Sequence, residues 1–422
     1  MPSMLQRRKS AIHTPIHILV NPGLATSWLI LEINSMDFRF SDEHKMILEY
    51  GNSLAKTYDR KYWTQCAERR AFPQEMYQQT AADGFVGTMV PEAYGGAGLG
   101  MFEMTLFVEG LSNNGIPLLT YVIGSVMCMG PIGDYGTEEQ KQRYLPDACA
   151  GKTRFCFAIT EADAGTNTMN AKTFASKTKD GRYKLNGNKT FITDWGESDY
   201  AIVVSRTTSL ADAGKKTEGF TLFIVDTKAK GIECQPIPTS VLVPEMQYQV
   251  FFDDVDLGPE DVLGEVDKGF NILFECLNPE RIIVSAIGTG LGRFAMSKAV
   301  EYASERTVFK GPIGAYQALQ HPLAKAKTEI EMASLMSLKA AWLFDEGESC
   351  AAEANMAKYA AAEASIHAVD ASLQCFGGNG FTKEYGIYDI YPLVRLFKTA
   401  PLNNEMVLNY IGEHVMGLPR SY

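Results

Sequence analysis

The chain has 422 residues, of which 46% are hydrophobic and 21% charged, with a formal net charge of −11. Its length is about three times that of a typical domain, so two or three domains are expected. The composition excludes a disordered or collagen-like chain, and the acidic surplus disfavours nucleic acid and anionic membrane surfaces as partners.

The N-terminus is unlike the rest. Arg7, Arg8 and Lys9 precede an apolar stretch, His17 to Ile33, that is interrupted by Asn21, Pro22, Gly23 and Ser27. It lacks a clean hydrophobic region and a small-residue cleavage site, so it does not read as a signal peptide. Nowhere does an apolar run reach the ~18 residues of a membrane span. Residues 1–35 are expected to be an extension outside the fold.

From Met36 the pattern becomes regular. Ser41-Asp42-Glu43 is a helix start with acids in the first turn, followed by Met46, Leu48 and Leu54 at loose helical spacing. Helices are predicted over 73–82 and 101–113, with the Gly-rich loop VPEAYGGAGLG (90–100) between them. Thr137 with Gln140 opens another helix with a capping box. Residues 36–152 therefore form an N-terminal helical domain.

The next segments, 155–160, 183–193, 200–206, 220–225 and 248–255, are rich in β-branched and aromatic residues. Turn signals separate them: Asp180-Gly181, Asn186-Gly187 and the polar loop 208–218. Without helices between them, they predict a small antiparallel barrel over 153–262 rather than a parallel doubly wound sheet.

Helical spacing returns over 281–306, 323–345, 350–375 and 402–415, with Gly417 and Pro419 as stop signals. Residues 263–422 form a C-terminal helical domain. The eight cysteines, at 66, 128, 149, 156, 234, 276, 350 and 375, make no C-x-x-C pair. They read as reduced, mostly buried thiols of a cytosolic (cytoplasmic) enzyme, and no metal site is expected.

Four segments carry candidate chemistry. Thr160-Glu161-Ala162-Asp163-Ala164-Gly165-Thr166 follows a strand and offers hydroxyls and backbone N–H groups; an ordinary polar loop explains it equally well. Phe191-Ile192-Thr193 places an aromatic ring beside a hydroxyl, suited to a planar cofactor or to a strand core. Asn278-Pro279-Glu280-Arg281 has the look of a helix start, Asn capping, Pro at the first position, and Glu280 then a helix-dipole acid. Gly288, Gly290 and Gly292 follow inside a helical pattern at about 1 kcal/mol each, so another helix or a ligand must approach closely there. Arg306 suits a phosphate or a solvated helix end, and Gly377-Gly378-Asn379-Gly380 suits a helix C-cap.

Together these motifs resemble one family, the acyl-CoA dehydrogenases. VPEAYGGAGLG, FAITEADAGT, YKLNGNKTFIT, FDDVDL, NPER, SERTVFKGPIGAYQALQHPLA and QCFGGNGF occur in that family's order and spacing, from Met36 onward. The resemblance implies an N-terminal helical domain, a middle β domain and a C-terminal four-helix bundle, usually as a homotetramer, with a homodimer also open. It implies FAD, an acyl-CoA substrate and electron-transfer flavoprotein as acceptor. By resemblance, Phe157, Ile159, Thr160, Gly165, Thr166, Phe191 and Thr193 contact the flavin. Phe191 replaces a frequent Trp. Arg306, Phe309, Gln317, Gln374, Gly377 and Gly378 match residues that hold the adenosine–pyrophosphate end across a subunit interface. Thr166 matches a position on the thioester side, and Asn278 and Arg281 match positions lining the acyl-CoA site.

The catalytic base departs from the commonest pattern. Where many members carry Glu before the last helix, this chain aligns Pro401, which takes no proton. The isovaleryl and long-chain enzymes, and a crotonobetainyl-CoA reductase branch, resemble this chain in placing Glu before the helix Arg. Glu280 is thus the expected base, with Glu405 the alternative. The implied reaction is α,β-dehydrogenation of an acyl thioester. A same-fold CoA-thioester reductase, a flavin oxidase or monooxygenase, and a non-catalytic flavin-binding member are the alternatives.

Overall fold

The computed structural model describes residues 39–420. The expected extension, 1–35, lies outside the described residues. The N-terminal part is helical: α1 (Asp42–Thr57), α2 (Arg60–Arg69), α3 (Gln74–Ala82), α4 (Met101–Ser112), α5 (Gly130–Tyr135) and α6 (Glu138–Cys149). Ser41 caps α1 through the His44 N–H, and Thr137 and Gln140 close the predicted box at α6. Between α4 and α5, Tyr121–Met129 is wound as a π-helix that packs on strand and helix partners further along the chain. The Gly-rich loop turns at Gly95 (φ 83°) and brings Gly96 so close to Val90 that a Cβ would lie 2.1 Å from its carbonyl oxygen. That loop delivers the start of α4 to Asp345, whose carboxylate accepts the N–H groups of Met101 (2.7 Å) and Phe102 (2.8 Å).

The middle part is a sheet of β1 (Phe155–Ala158), β2 (Phe174–Lys177), β3 (Tyr183–Thr193), β4 (Tyr200–Arg206), β5 (Phe220–Asp226), β6 (Ile232–Ile237), β7 (Gln247–Leu257) and β8 (Val262–Leu263). The order is β6-β7-β3-β2-β4-β5-β8, with β1 joined to β4. This corrects the expected antiparallel barrel in two ways. No closure between β6 and β8 is found among the described residues, and β4 pairs in parallel with both β1 and β2. The sequence also marked Asn186-Gly187 as a turn. It is instead a bulge inside β3, where the register to β7 slips and a Cβ on Gly187 would meet Thr173 Cα at 2.7 Å.

Side-chain alternation explains where the sheet sits. Phe155 and Phe157 of β1, Ile202 and Val204 of β4, and Leu222 and Ile224 of β5 join the core shared with the helices. Their neighbours Cys156, Ala158, Ala201, Val203, Phe223 and Val225 line a second core on the opposite face. Strands apolar on both faces are what a central sheet covered on both sides requires.

The C-terminal part is built on three long helices, α7 (Gly269–Glu305), α8 (Gln317–Asp345) and α9 (Ala351–Phe376). A two-stranded hairpin, β9 (Thr307–Val308) with β10 (Gly311–Pro312), joins α7 to α8. Short α10 (Tyr391–Leu396) and α11 (Asn404–Tyr410) follow, the latter running into a π-turn at Ile411–Val415. The α7 glycines serve helix packing: a Cβ on Gly290 would lie 2.4 Å from Ser112 of α4, and one on Gly292 would lie 2.5 Å from Ile330 of α8. Gly288 is less constrained, its nearest neighbour being the Ala361 carbonyl at 3.5 Å.

Candidate active site

The loop after β1 is held from beneath by one buried acid. Glu161 accepts the Lys189 ammonium (2.9 Å) and the Thr173 N–H (3.0 Å) on one oxygen, and the Lys172 N–H (2.7 Å) on the other. These partners outweigh its burial and lower its pKa. Lys189 also donates to the Ile159 carbonyl at 2.8 Å, so a single ammonium ties β3 to the end of β1. The Thr190 N–H donates to the Thr160 carbonyl at 2.9 Å. Thr160 and the Phe191–Thr193 segment therefore share one edge. Gly165 and Thr166 lie exposed at the tip of the loop.

Phe191 stands out on that edge. Its φ is 56°, uncommon for a bulky residue, and its ring is 60% exposed. A register slip between β3 and β7 spans this point and turns the ring outward. Thr193 is half-buried, its hydroxyl accepting from Gln247 at 3.1 Å. Phe157 is core, so its side chain faces the helices and only its backbone remains for a ligand.

The NPER segment differs from its sequence reading. It is not a helix start: Pro279 lies ten residues inside α7, at a position that removes one backbone hydrogen bond and ordinarily costs about 3 kcal/mol. Burial on this long helix overrides local propensity. Glu280 is consequently not a first-turn acid. It is 9% exposed, and no hydrogen bond to its carboxylate is found among the described residues. Burial pushes its pKa up to about 7, although the charges of Arg281 and Lys358 oppose the shift. Arg281 donates to Asn278 at 2.9 Å one turn back.

Across from α7, Lys358 of α9 is 1% exposed. Its ammonium donates to the Leu402 carbonyl and, at 2.8 Å, to Asn404 Oδ1. The Asn404 amide donates to Glu363 at 2.8 Å, and Lys398 pairs with the same carboxylate. One residue earlier, Asn403 donates to the Thr166 hydroxyl at 3.0 Å and caps α11 through the Met406 N–H at 2.9 Å. The 401–404 loop thus links the β-domain tip to the neighbourhood of Glu280. Glu405 is exposed in the first turn of α11, the ordinary place for a helix-start acid.

The remaining predicted residues gather at the far end of the C-terminal helices. Arg306 follows α7, Phe309 on the hairpin is 93% exposed with φ 57°, and Gln317 opens α8; all three face solvent. Gln374 and the Gly377-Gly378 turn close α9, and Tyr302 of α7 packs beside them through Phe376 (4.5 Å between ring centres) and Asn379 (2.9 Å). No hydrogen bond among the described residues joins this group to the Phe191 edge. The sequence reading missed Lys358, Asn403, Asn404 and the Glu161–Lys189 pair. A signal existed for Lys358: it is a charge on the same face as Ala354, Ala361 and Ser365, all buried.

Comparison with known proteins decides the family. The sequence matches the acyl-CoA dehydrogenase N-terminal domain over residues 41–152, the middle domain over 156–255 and the C-terminal domain over 267–416. The chain belongs to the acyl-CoA dehydrogenase family. It is 41% identical over 385 residues to the acyl-CoA dehydrogenase FadE12 of Mycobacterium tuberculosis, covering 90% of this chain and 98% of that one. It is 32% identical to the caffeyl-CoA reductase–Etf complex subunit CarC of Acetobacterium woodii, covering 85% and 94%. The butyryl-CoA dehydrogenase structure from Megasphaera elsdenii superposes with a TM-score of 0.85 at 29% identity, covering 90% of this chain and all of that one. Members of this family are FAD-dependent oxidoreductases, and the outward Phe191 ring beside the Thr160 and Thr193 edge fits a planar, hydrogen-bonding cofactor. No helix among the described residues is long and apolar enough to cross a membrane.

Proposed function

We propose that the protein is an acyl-CoA dehydrogenase that removes the α-proton of an acyl-CoA thioester with Glu280. The observation that carries this reading is the state of Glu280: buried, free of hydrogen-bond partners among the described residues, and raised to about 7. A general base is most useful with a pKa near the working pH. Pro401 and exposed Glu405 offer no comparable group.

Thr160, Thr193, Phe191 and the 159–166 loop would hold the flavin ring. Arg306, Phe309, Gln317, Gln374, Gly377 and Gly378 would hold the dinucleotide end from a neighbouring subunit, which is why they are exposed in one chain. The exposed Met332, Leu335 and Trp342 of α8 support an assembly, and we read it as the family's homotetramer. FAD supplies the hydride acceptor for the β-hydrogen. The chain's own residues do the rest. Glu280 takes the proton, Asn278 and Arg281 shape the wall beside it, and Thr166, fixed by Asn403, borders the thioester. Excluding water from this volume strengthens any donor aimed at the thioester oxygen, where negative charge develops.

The kinship with CarC supports electron-transfer flavoprotein as redox partner and favours a second reading, a CoA-thioester reductase in which protonated Glu280 delivers its proton to Cα. The free cysteines, mostly buried, support a reducing cytoplasmic setting. Anaerobic titration of the flavin absorbance with saturated, branched, aryl and carnitinyl CoA esters tests the first reading. Bleaching by one class confirms dehydrogenation and names that class. A flavin that bleaches with none, yet is reoxidised after chemical reduction by the corresponding enoyl esters, assigns the reductase direction.

A further inference from the structure

We infer that Glu245 is a positioning residue of this site: its carboxyl pins the first turn of the helical run 119–135 to the β3–β7 edge, and so sets how far the flavin edge stands from α7, the helix that carries Glu280. The inference rests on the proposed roles of the flavin edge and Glu280 for its kinetic consequence, but not for the hydrogen bonds.

Glu245 lies in the 238–246 connection between β6 and β7, yet it is only 1% exposed. Glutamate is rarely buried so fully. One of its oxygens accepts the N–H groups of Leu119 (2.6 Å) and Thr120 (3.2 Å). These residues open the helical run, and first-turn N–H groups have no partner inside a helix. The usual partner is a Ser, Thr, Asn or Asp just before the helix. Leu118 stands there instead, and an acid from the β domain reaches in. The second oxygen of Glu245 has no hydrogen-bond partner among the described residues. Burial, with Asp194 nearby, pushes the pKa of Glu245 up to about 8, so at neutral pH it holds the helix chiefly as an uncharged acceptor.

Both ends of this tether are fixed. The Asp194 N–H donates to the Met246 carbonyl at 2.7 Å, and the Met246 N–H donates back to the Asp194 carboxylate at 3.0 Å. Gln247, the next residue, donates to the Thr193 hydroxyl at 3.1 Å. Residues 246 and 247 are thus fastened to 194 and 193, at the end of the strand that carries Phe191. From the outer side, Arg70 donates to the carbonyls of Thr239 (2.7 Å), Val241 and Val243 (both 3.3 Å). The pinned helix then runs between β1 and α7 and packs on both. On the β1 side, the Cys128 thiol donates to the Cys156 carbonyl at 3.4 Å. A shift of its first turn therefore moves an element wedged between the strand that leads into the 159–166 loop and the helix that bears Glu280. Where a hydride and a proton leave one substrate towards two sides, that spacing governs the rate.

The test pairs a structural readout with a kinetic one on the FAD-loaded enzyme. Amide hydrogen exchange at residues 119–120 reports the tether, and rapid-mixing flavin reduction by the acyl-CoA that bleaches it best reports the spacing. Glu245→Leu removes the acceptor and should speed exchange at these two amides by about tenfold, the loss of one hydrogen bond. Reduction at saturating ester should slow by about 10–100-fold, the scale of a misplaced reacting pair, with the ester dissociation constant changed by no more than about threefold. Glu245→Asp keeps the carboxyl but shortens its reach and should behave like Glu245→Leu. Glu245→Gln keeps both reach and acceptor and should stay within about threefold of wild type in exchange and reduction. If Glu245→Leu yields no folded enzyme, the contrast between Glu245→Asp and Glu245→Gln decides. Wild-type exchange in Glu245→Asp, fast exchange with wild-type reduction, or equal impairment of Glu245→Asp and Glu245→Gln each overturns the inference. If the contrast holds while Glu280→Gln stays active, Glu245 positions the helix and the proton acceptor lies elsewhere.

Discussion

Two buried glutamates divide the molecule's roles. Glu161, under the β-domain loop, has an ion pair and two backbone N–H donors and is held in its charged form. Glu280, on the long helix of the C-terminal domain, has no such donors among the described residues, and burial raises its proton affinity. The same side chain is a fastener in one place and the proposed proton acceptor in the other. What differs is how completely the surroundings satisfy the carboxylate. A satisfied acid holds structure, and an unsatisfied one keeps affinity for a proton that chemistry can use.

Breaking each acid should give opposite effects on stability, and this is the largest expected contrast. Glu161→Gln leaves the buried Lys189 without its counter-charge and should cost about 3–5 kcal/mol in denaturant unfolding at pH 7. Glu280→Gln should change stability little near pH 4 and should stabilise the fold at pH 7, where the wild-type carboxyl has lost most of its folded-state advantage. The signs follow from linkage. The folded pKa of Glu161 is depressed, so its contribution is present above the unfolded value of about 4.3 and is lost as pH falls through the folded one. The folded pKa of Glu280 is raised, so its protonated form favours folding below about 4.3, and this advantage disappears as pH rises towards about 7. Equal losses in the two variants would erase the distinction.

The pH dependence of activity sharpens the comparison on a smaller scale. With Glu280 as base, kcat/KM for dehydrogenation should rise with pH and level off above about 7, falling about tenfold per unit on the acid side. A profile flat from pH 5 to pH 8 would place the proton acceptor elsewhere. The smallest effect concerns the other candidate acid. Glu405→Gln should change kcat by no more than about threefold and stability by about 0.3–1 kcal/mol, as expected for an exposed first-turn acid.

The alternation of helical, β and helical segments was legible because period and turn chemistry are local properties. The capping box at Thr137 and the C-cap at Gly377 appear as predicted, for the same reason. Three features were not legible. Strand β6 is an exposed edge strand containing Pro236, so it carries no apolar alternation to detect. The Asn186-Gly187 pair has the chemistry of a hairpin turn, but β7 continues alongside it and converts it into a bulge. Asn278-Pro279 has the chemistry of a helix start, but packing carries α7 ten residues further back. The last point bears on function, since spacing alone makes Glu280 a solvated first-turn acid, and only the family resemblance marks it as the expected base, the group whose pKa tertiary burial raises. The site's motif residues could be recognised by resemblance. The Lys358–Asn404–Glu363 chain could not, because it joins α9 to a loop some 45 residues away.

The most direct test is rapid-mixing anaerobic reduction of the flavin by the acyl-CoA that bleaches it best, in the wild-type enzyme and in Glu280→Gln, with ester binding followed independently by the perturbation of the flavin spectrum. The expected result is unchanged FAD content and ester binding in the variant, with reduction slowed by about 10³–10⁴-fold, the scale of a lost general base. Reduction in Glu280→Gln at a rate within a few-fold of wild type would contradict the assignment of Glu280 as the proton acceptor.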